Sequence, residues 1–457
     1  MIPYAGPSWK RKAVVGLVTL GLVSAPLPLP FFADAPLPIG AHARAAAEES
    51  VYRSLTLQQA IDRAIFIDRN KRILEYALKN LDLNKKDLED ARDDLDDARA
   101  ELNNAINAQW SMILNYAEAA RQGKATDPPI DVLDRQLQEM EKQRDNLDYQ
   151  KDTLDETLDE LKLQRKKLEL QDAELREAIT LAVTQLYTGL LSLNDNIRLL
   201  EDNLDQKKKD LAAVTAKENI GMASKEEIDK KEREVTDAER TLSNVRIQYH
   251  KLLGQFLYLL DIPFNPDIRL EPVSLPGAAT VNMPGDVEAL AAQTFKMQQA
   301  ELDRRLAKQQ YDFAKEQERK NNPEYYNRDK DRYTTKKKQA ENEWLSKEEQ
   351  WQNTRRDVLT AIENLYREAK DAEEAYLRAR QKWAEASRDK DSLRTRYELG
   401  FVSKHDYDAY QLAVMKAQTE MDAAKYRYFV ALAKLDALKR GYVDLSGASA
   451  GASVTAS

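Results

Sequence analysis

Two short stretches decide the fold: Ile220-Gly221-Met222-Ala223-Ser224 and Leu399-Gly400-Phe401-Val402-Ser403. In each, a glycine follows a helical run, where a residue at positive φ closes the last turn without a Cβ clash. A serine three residues later suits the N-cap of a new helix. Glu227 and Asp406 stand three residues beyond those serines, the capping-box spacing. Met222-Ala223 and Phe401-Val402 fill the short loops. Each stretch predicts two long antiparallel helices meeting at a tight apolar tip.

The two tips belong to an internal repeat with a constant offset of 179 residues. At that offset Leu186-Tyr187 falls on Leu365-Tyr366, Tyr249 on Tyr428, Leu253 on Leu432 and Leu259 on Leu438. Shared leucines alone are weak evidence between coiled coils. The Tyr, Gly and Ser matches at one offset are much stronger. The arm before the first tip is longer than its counterpart by about 50 residues, expected around 105–155.

Outward from the tips, apolar residues keep helical spacing. Leu57, Ile61, Ala64, Ile65, Leu74, Leu78, Leu81, Leu88, Leu95 and Leu102 predict one helix from Leu55 to about Gln122, its last steps of seven resembling a coiled-coil seam. Residues 123–129, with Gly123, Pro128 and Pro129, break it. A second helix is expected over about Asp131–Asn219 and a third over about Lys225–Leu260. Helix resumes near Val287, frays at Lys320-Asn321-Asn322-Pro323, restarts near Tyr333 and ends at Leu399. A last helix covers about Lys404–Arg440. The predicted organisation is a leader (1–45), a first hairpin half (55–261), a Pro-rich linker (262–286), a second hairpin half (287–440) and a disordered low-complexity tail (441–457).

The leader has the form of a targeting segment. Lys10-Arg11-Lys12 precede an uncharged apolar run, Ala13–Ala25, of signal-peptide length and too short for a comfortable membrane span. Ala41-His42-Ala43 and Ala45-Ala46-Ala47 offer small-residue cleavage sites. An uncleaved anchor is the other reading of this segment. Removal of residues 1–45 takes Lys10, Arg11, Lys12 and Arg44 against Asp34, a net +3, from a chain of −8, leaving −11.

Composition narrows the function classes. The chain has 457 residues, 32% of them charged, with 14 Gly and no Cys. Without cysteine there is no disulfide framework, thiolate metal site or lipid-bearing Cys. Few glycines argue against phosphate-cradling loops and many-stranded sheets. A mean hydropathy of −0.68 excludes a multispan helical membrane protein. The acidic balance gives no reason to expect nucleic acid. No nucleophile–base pair, metal cluster or cofactor motif is visible, so an enzyme is not expected.

The leader, the opening Leu55-Thr56-Leu57-Gln58-Gln59-Ala60-Ile61, the two helical halves and the twin Ile/Leu-Gly-x-x-Ser tips together resemble the outer-membrane efflux protein family, the TolC-like proteins. Leu252-Leu253-Gly254 through Leu260-Asp261-Ile262-Pro263 is similar to that family's mid-chain junction. The resemblance covers most of residues 55–440. It implies an all-α protomer of two helical hairpins, three of which close into a hollow twelve-helix barrel. It further implies an exit duct that receives substrate from an inner-membrane pump through a membrane-fusion adaptor protein. The adaptor contact would fall on Ile220, Gly221, Met222, Ala223 and Ser224, with Leu399, Gly400, Phe401, Val402 and Ser403. A tight apolar turn suffices to reverse one hairpin. Two copies in one register, each exposing apolar residues, favour a docking tip.

The family also places two β-strands in each half, closed by trimerisation into an outer-membrane barrel. The corresponding regions here are about 105–135 and 318–342. The first reads as helix and then a break. The second is too charged to face lipid, since lipid-facing strands alternate apolar residues over roughly 9–11 positions. The chain is therefore expected to lack the barrel strands. That places it in the cell envelope, either at an outer membrane as in the family or outside the cytoplasmic membrane on the wall side.

Three further features carry two readings each. The acidic run Asp87–Asp97 is a solvated helix face or a cation-attracting surface. Arg328, Lys330, Arg332 and Lys336-Lys337-Lys338, with Tyr325, Tyr326 and Tyr333, form a solvated loop or a contact for envelope polymer or lipid headgroups. His42, His250 and His405 are isolated, as surface or packing histidines are. A non-conducting structural coiled coil of the envelope remains the alternative to a conduit.

Overall fold

The computed structural model describes residues 54–123, 129–275, 281–320 and 327–445. The predicted leader and residues 446–457 lie outside them. In the first half, helices α1 (Leu57–Ile67), α2 (Arg69–Arg121), α3 (Ile130–Asn219) and α4 (Lys225–Leu259) follow a two-residue strand β1 (Ser54–Leu55). After β2 (Arg269–Leu270) come α5 (Val287–Ala292), α6 (Phe295–Lys320), α7 (Asn327–Glu398) and α8 (Lys404–Lys439). β1 and β2 pair in parallel, Ser54 opposite Arg269, and are the only strands among the described residues. At a rise of about 1.5 Å per residue, α3 is about 135 Å long.

Interhelical ion pairs record the register. Asp82–Arg165, Arg92–Asp155, Asp96–Lys151 and Arg99–Asp148 join α2 to α3, each advance along one matched by an equal retreat along the other. Lys296–Glu174, Asp303–Lys167 and Gln310–Glu160 do the same for α6 on α3. Below them α4 lies against α3 through Arg246–Glu201, and α8 through Arg440–Glu177 and Tyr426–Asp195. Thus α2 and α4 stand end to end along one side of α3, and α6 and α8 end to end along its other side. α7 packs beyond α6 and α8, through Arg304–Glu348 and Lys434–Glu368. The chain forms one layer of four helical positions with α2/α4 at one edge and α7 at the other.

The apolar core concentrates where helices meet end to end. Val183, Tyr187 and Leu190 of α3, Leu253, Phe256 and Leu257 of α4, and Ala60 of α1 are buried in the first cluster. Val358, Ile362 and Ala369 of α7, with Leu435 and Leu438 of α8, are buried in the second. Of the repeat-matched residues, Tyr187 and Leu253 lie in the first core, Tyr249 packs against it and Tyr366 lies in the second, while Leu432 and Tyr428 are also buried.

Several sequence expectations need correction. The helix expected from Leu55 to Gln122 is two helices. Asp68 (φ −57°, ψ 128°) leaves the helical region, and its carboxylate accepts from the Lys71 amide at 2.8 Å, starting α2 afresh. The second half breaks likewise at Thr294. Its hydroxyl donates to Ala291 O at 2.7 Å, while the Phe295 amide donates to Gly441 O at 2.7 Å. α7 begins at Asn327, before the expected Tyr333. The linker is also core: Ile262, Ile268 and Val273 are buried in the first cluster. The tail is not disordered from its start. Gly441 (φ +102°) turns the chain so that Val443, 2% exposed, closes the second core. The acidic run is a largely solvated face from which the half-exposed Arg92 and Asp96 pair with Asp155 and Lys151 of α3, and Lys151 holds the Asp96 carboxyl below its ordinary value by hydrogen bond and charge.

Candidate functional site: the paired hairpin tips

Both tips are built by the same local hydrogen bonds. At the first, the Met222 amide donates to Lys217 O and the Gly221 amide to Glu218 O, both at 2.8 Å. At the second, Phe401 donates to Arg396 O and Gly400 to Tyr397 O, both at 2.9 Å. This crossed pair is the Schellman arrangement, with glycine in the left-handed position (φ +72° and +78°). A Cβ on either glycine would meet nothing within 4 Å, so glycine is required by φ and not by space.

The returning helices start on the predicted serines. Ser224 Oγ accepts from the Glu227 amide at 3.2 Å, and Glu227 accepts from the Ser224 amide at 3.3 Å, a complete capping box. Ser403 Oγ accepts from the Asp406 amide at 3.1 Å. Its own hydroxyl donates to Asp406 Oδ2 at 2.7 Å, so the shorter carboxylate bonds the hydroxyl. His405 Nδ1 stands 3.3 Å from Asp210 of α3, which places both tips at one end of the layer.

The tips present apolar side chains to solvent. Ile220, Met222, Leu399 and Phe401 are 65–75% exposed, while Ala223 and Val402 are half-buried beneath them. Scattered exposed apolar residues need no explanation, but here each turn exposes two at matched positions of the repeat. Behind the second tip, Tyr397 of α7 stacks on Tyr407 of α8 (centroids 4.8 Å apart, 6° between planes). All ten tip residues expected from the sequence thus lie in the two turns.

The other candidates go elsewhere. Lys337 pairs with Glu318 of α6 at 2.7 Å, whose carboxylate raises its pKa, while Lys336 and Lys338 remain exposed. Tyr325 and Tyr326, and the side chains of Arg328 and Lys330, lie outside the described residues. His250 packs edge-on between Tyr249 and Phe264. Among the described residues no group of three His, Asp or Glu side chains is placed to hold a metal ion. No described helix is long and apolar enough to cross a membrane.

Sequence reasoning missed the edges of the layer. A line of ion pairs, Asp82–Arg165, Lys167–Asp303 and Arg304–Glu348, crosses it at one level from α2 to α7. Beside its two ends lie Leu83 (62% exposed) and Leu345 (48%). Nearer the tips, Arg246–Glu201, Asp195–Tyr426 and the Tyr428–Tyr376 stack make a second crossing. Its ends carry Ile247 (62% exposed) and Leu377 (51%). In the sequence these four residues stand among charged neighbours, and only the fold reveals that they lie exposed on the two edge helices.

No family model matches the chain, and no curated protein matches it. Among solved structures it is similar to the CmeC outer membrane channel of Campylobacter jejuni, at 13% identity and a TM-score of 0.49, over 65% of this chain and 70% of that one. It is also similar to the outer membrane protein VceC of Vibrio cholerae (14%, TM-score 0.48, 63% and 76%). The open-state MtrE outer membrane channel of Neisseria gonorrhoeae is a third (11%, TM-score 0.48, 63% and 72%).

Proposed function

We propose that the chain is the protomer of a TolC-like export conduit: a ring of three copies enclosing a tunnel, with the hairpin tips docking a membrane-fusion adaptor of an inner-membrane pump. The observation that carries this reading is the pair of unlike open edges, α2/α4 and α7, each with exposed apolar residues along it. Unlike edges make a head-to-tail contact, and such contacts close into rings when the rotation permits. Burying Leu83, Ile247, Leu345 and Leu377 between neighbours removes apolar surface from water at about 25 cal/mol per Å². The resemblance of the tips and junction to the efflux family supports a count of three.

The tips supply the docking patch. The exposed pairs Ile220/Met222 and Leu399/Phe401 fit apolar grooves on a partner better than they fit water. The expected site is the envelope, in contact with an outer membrane or on the wall side. Helix α2 runs to Arg121 and α7 starts at Asn327, where barrel strands would be needed, and this favours a tube that stands outside a bilayer.

Electron microscopy of the purified mature chain tests the conduit. A hollow three-fold tube is the expected result. A solid monomeric or dimeric rod overturns it and leaves the structural coiled coil.

A further inference from the structure

The first hairpin outruns the second. α6 ends at Lys320, opposite Asp152 of α3, and α7 begins at Asn327. α3 continues from Asp152 back to Ile130, with α2 alongside it to Arg121. The α2/α3 pair therefore projects about 33 Å past the end of α6. It carries a small core of its own, Ile106 and Ile113 of α2 against Leu133 and Leu137 of α3. Gln109, also buried, donates to Leu133 O at 3.1 Å and so fixes the pairing.

The charge pattern changes at the same level. α2 is densely charged up to Glu101, carries no charged residue from Leu102 to Ala117, and becomes charged again at Glu118. Within that window the exposed residues of α2 are Asn104, Asn107, Asn115 and Ser111 with the apolar Ala105, Ala108, Trp110, Met112 and Leu114, Trp110 at 45% and Leu114 at 66%. α3 does the opposite over the same length, exposing Asp131, Asp134, Arg135, Glu139, Lys142 and Asp145. The projecting hairpin is thus amphipathic as a unit, with an uncharged α2 face and a charged α3 face.

We infer that the uncharged α2 face packs against the same face of other copies of this chain, gathering the end of the assembly opposite the tips around a common axis. Past the level of α6 and α7, α2 loses the α7 edge that a neighbouring copy offers lower down. Amphipathic helix pairs bury their uncharged sides inward and leave charged sides in water. The α2 helices therefore converge on the axis and the α3 helices face out. Ala105, Ala108 and Ser111 let backbones approach, Trp110, Met112 and Leu114 fill the space between them, and the absence of charge removes repulsion between identical surfaces. The number of copies rests on the ring proposed above; the α2-to-α2 contact does not.

The chain has no cysteine, so single introduced thiols report contacts without background. In the full chain, oxidised Leu114→Cys and Trp110→Cys are expected to migrate as covalent dimers, since identical residues meet near the axis. Ile73→Cys, exposed on the same helix but level with the second hairpin, is expected to stay monomeric. The double variant Leu83→Cys/Leu345→Cys reads the ring edges independently. Edge cross-links without any at Leu114 or Trp110 overturn the inference and leave the ring intact. Absence of both sets of cross-links overturns both. Flotation of the chain with phosphatidylglycerol vesicles, abolished by Trp110→Asp and without α2 cross-links, assigns the face to lipid and also overturns it.

Discussion

The two halves agree at the tips and disagree at the places where their returning helices end. α4 and α8 both finish with the crossed turn. Ile262 and Tyr442 donate to Leu257 O and Ala437 O, at 3.0 and 2.8 Å. The residue in the left-handed position is Asp261 (φ +49°) in one half and Gly441 (φ +102°) in the other. Arg63 of α1 compensates the first, its guanidinium donating to Leu260 O at 2.6 Å and Asp261 O at 3.0 Å. Among the described residues no side chain braces the second in this way, and its backbone instead holds the α5–α6 junction. A duplicated helix pair can therefore keep one end and re-engineer the other, because turn geometry is local while closure of the core involves whichever segments are near.

Gly441 gives the largest expected effect. A Cβ there would stand 3.1 Å from Gln293 O and 3.2 Å from the Phe295 ring, in a backbone region that L-residues avoid. Strain of ~1–3 kcal/mol combines with crowding of ~1–3 kcal/mol. Gly441→Ala should therefore lower the denaturation midpoint sharply. Gly221→Ala and Gly400→Ala, with open space around them, should cost about 1–2 kcal/mol each, the left-handed penalty alone. Asp261→Gly should be neutral or slightly stabilising. Equal losses at Gly441 and Gly221 would erase the distinction between the crowded turn and the open one.

Tyr187 and Tyr366, equivalent in the repeat, come next. The Tyr187 hydroxyl is fully buried and is placed to donate to Leu55 O (2.8 Å) and Glu271 O (2.7 Å), tying β1 and β2 to α3. Tyr366 has no hydroxyl partner among the described residues. Tyr187→Phe should cost about 1–2 kcal/mol by leaving a carbonyl unpaired, and Tyr366→Phe within about 0.5 kcal/mol. Burial pushes the Tyr187 phenol up to about 12 from 10.0. Its phenolate is worse accommodated in the fold than in the unfolded chain. The corresponding stability is present below pH 10 and is lost as pH climbs towards 12. Tyr187→Phe should flatten that part of the alkaline denaturation profile, and an unchanged slope would assign the loss to other groups.

The serine caps should give smaller and nearly equal losses. Ser224→Ala and Ser403→Ala remove one capping acceptor each, about 1 kcal/mol. Ser224 also belongs to the reciprocal box with Glu227, so Glu227→Ala should cost more than Asp406→Ala, whose carboxylate bonds only a hydroxyl. Thermal melts of the four variants rank them.

What the sequence made legible follows the same division between local and distant causes. Helix ends at Ile220, Ser224, Leu399 and Ser403 were readable because caps and left-handed turns depend on neighbouring residues. The repeat was readable because its Tyr, Gly and Ser matches share one offset. The break at Asp68 was hidden, since Phe66-Ile67-Asp68-Arg69 has ordinary helical composition and differs only in that its carboxylate caps Lys71. The β1–β2 pair was hidden because Ser54-Leu55 and Arg269-Leu270 are too short for alternation, and a tyrosine on α3 joins them. The edge residues Leu83, Leu345, Ile247 and Leu377 needed the register of four helices before their heights could be compared.

The smallest effect on stability is expected at the tips, where the proposed function is most exposed to failure. Met222 and Phe401 are 74% and 75% exposed and occupy matched loop positions. Replacing either with Asp removes no buried contact, so stability should change by no more than about 0.5 kcal/mol. A charge in an apolar docking patch, however, must be desolvated when a partner covers it, at several kcal/mol if unpaired. Met222→Asp and Phe401→Asp should therefore leave helix content and melting intact while abolishing co-purification with the cognate adaptor. Because the second tip is backed by the Tyr397–Tyr407 stack and the first has Glu218 and Ile228 at those repeat positions, Tyr407→Ala should weaken docking through its own tip alone. If both charged variants retain the adaptor, the tips are only turns, and the function must be sought along the edges of the layer.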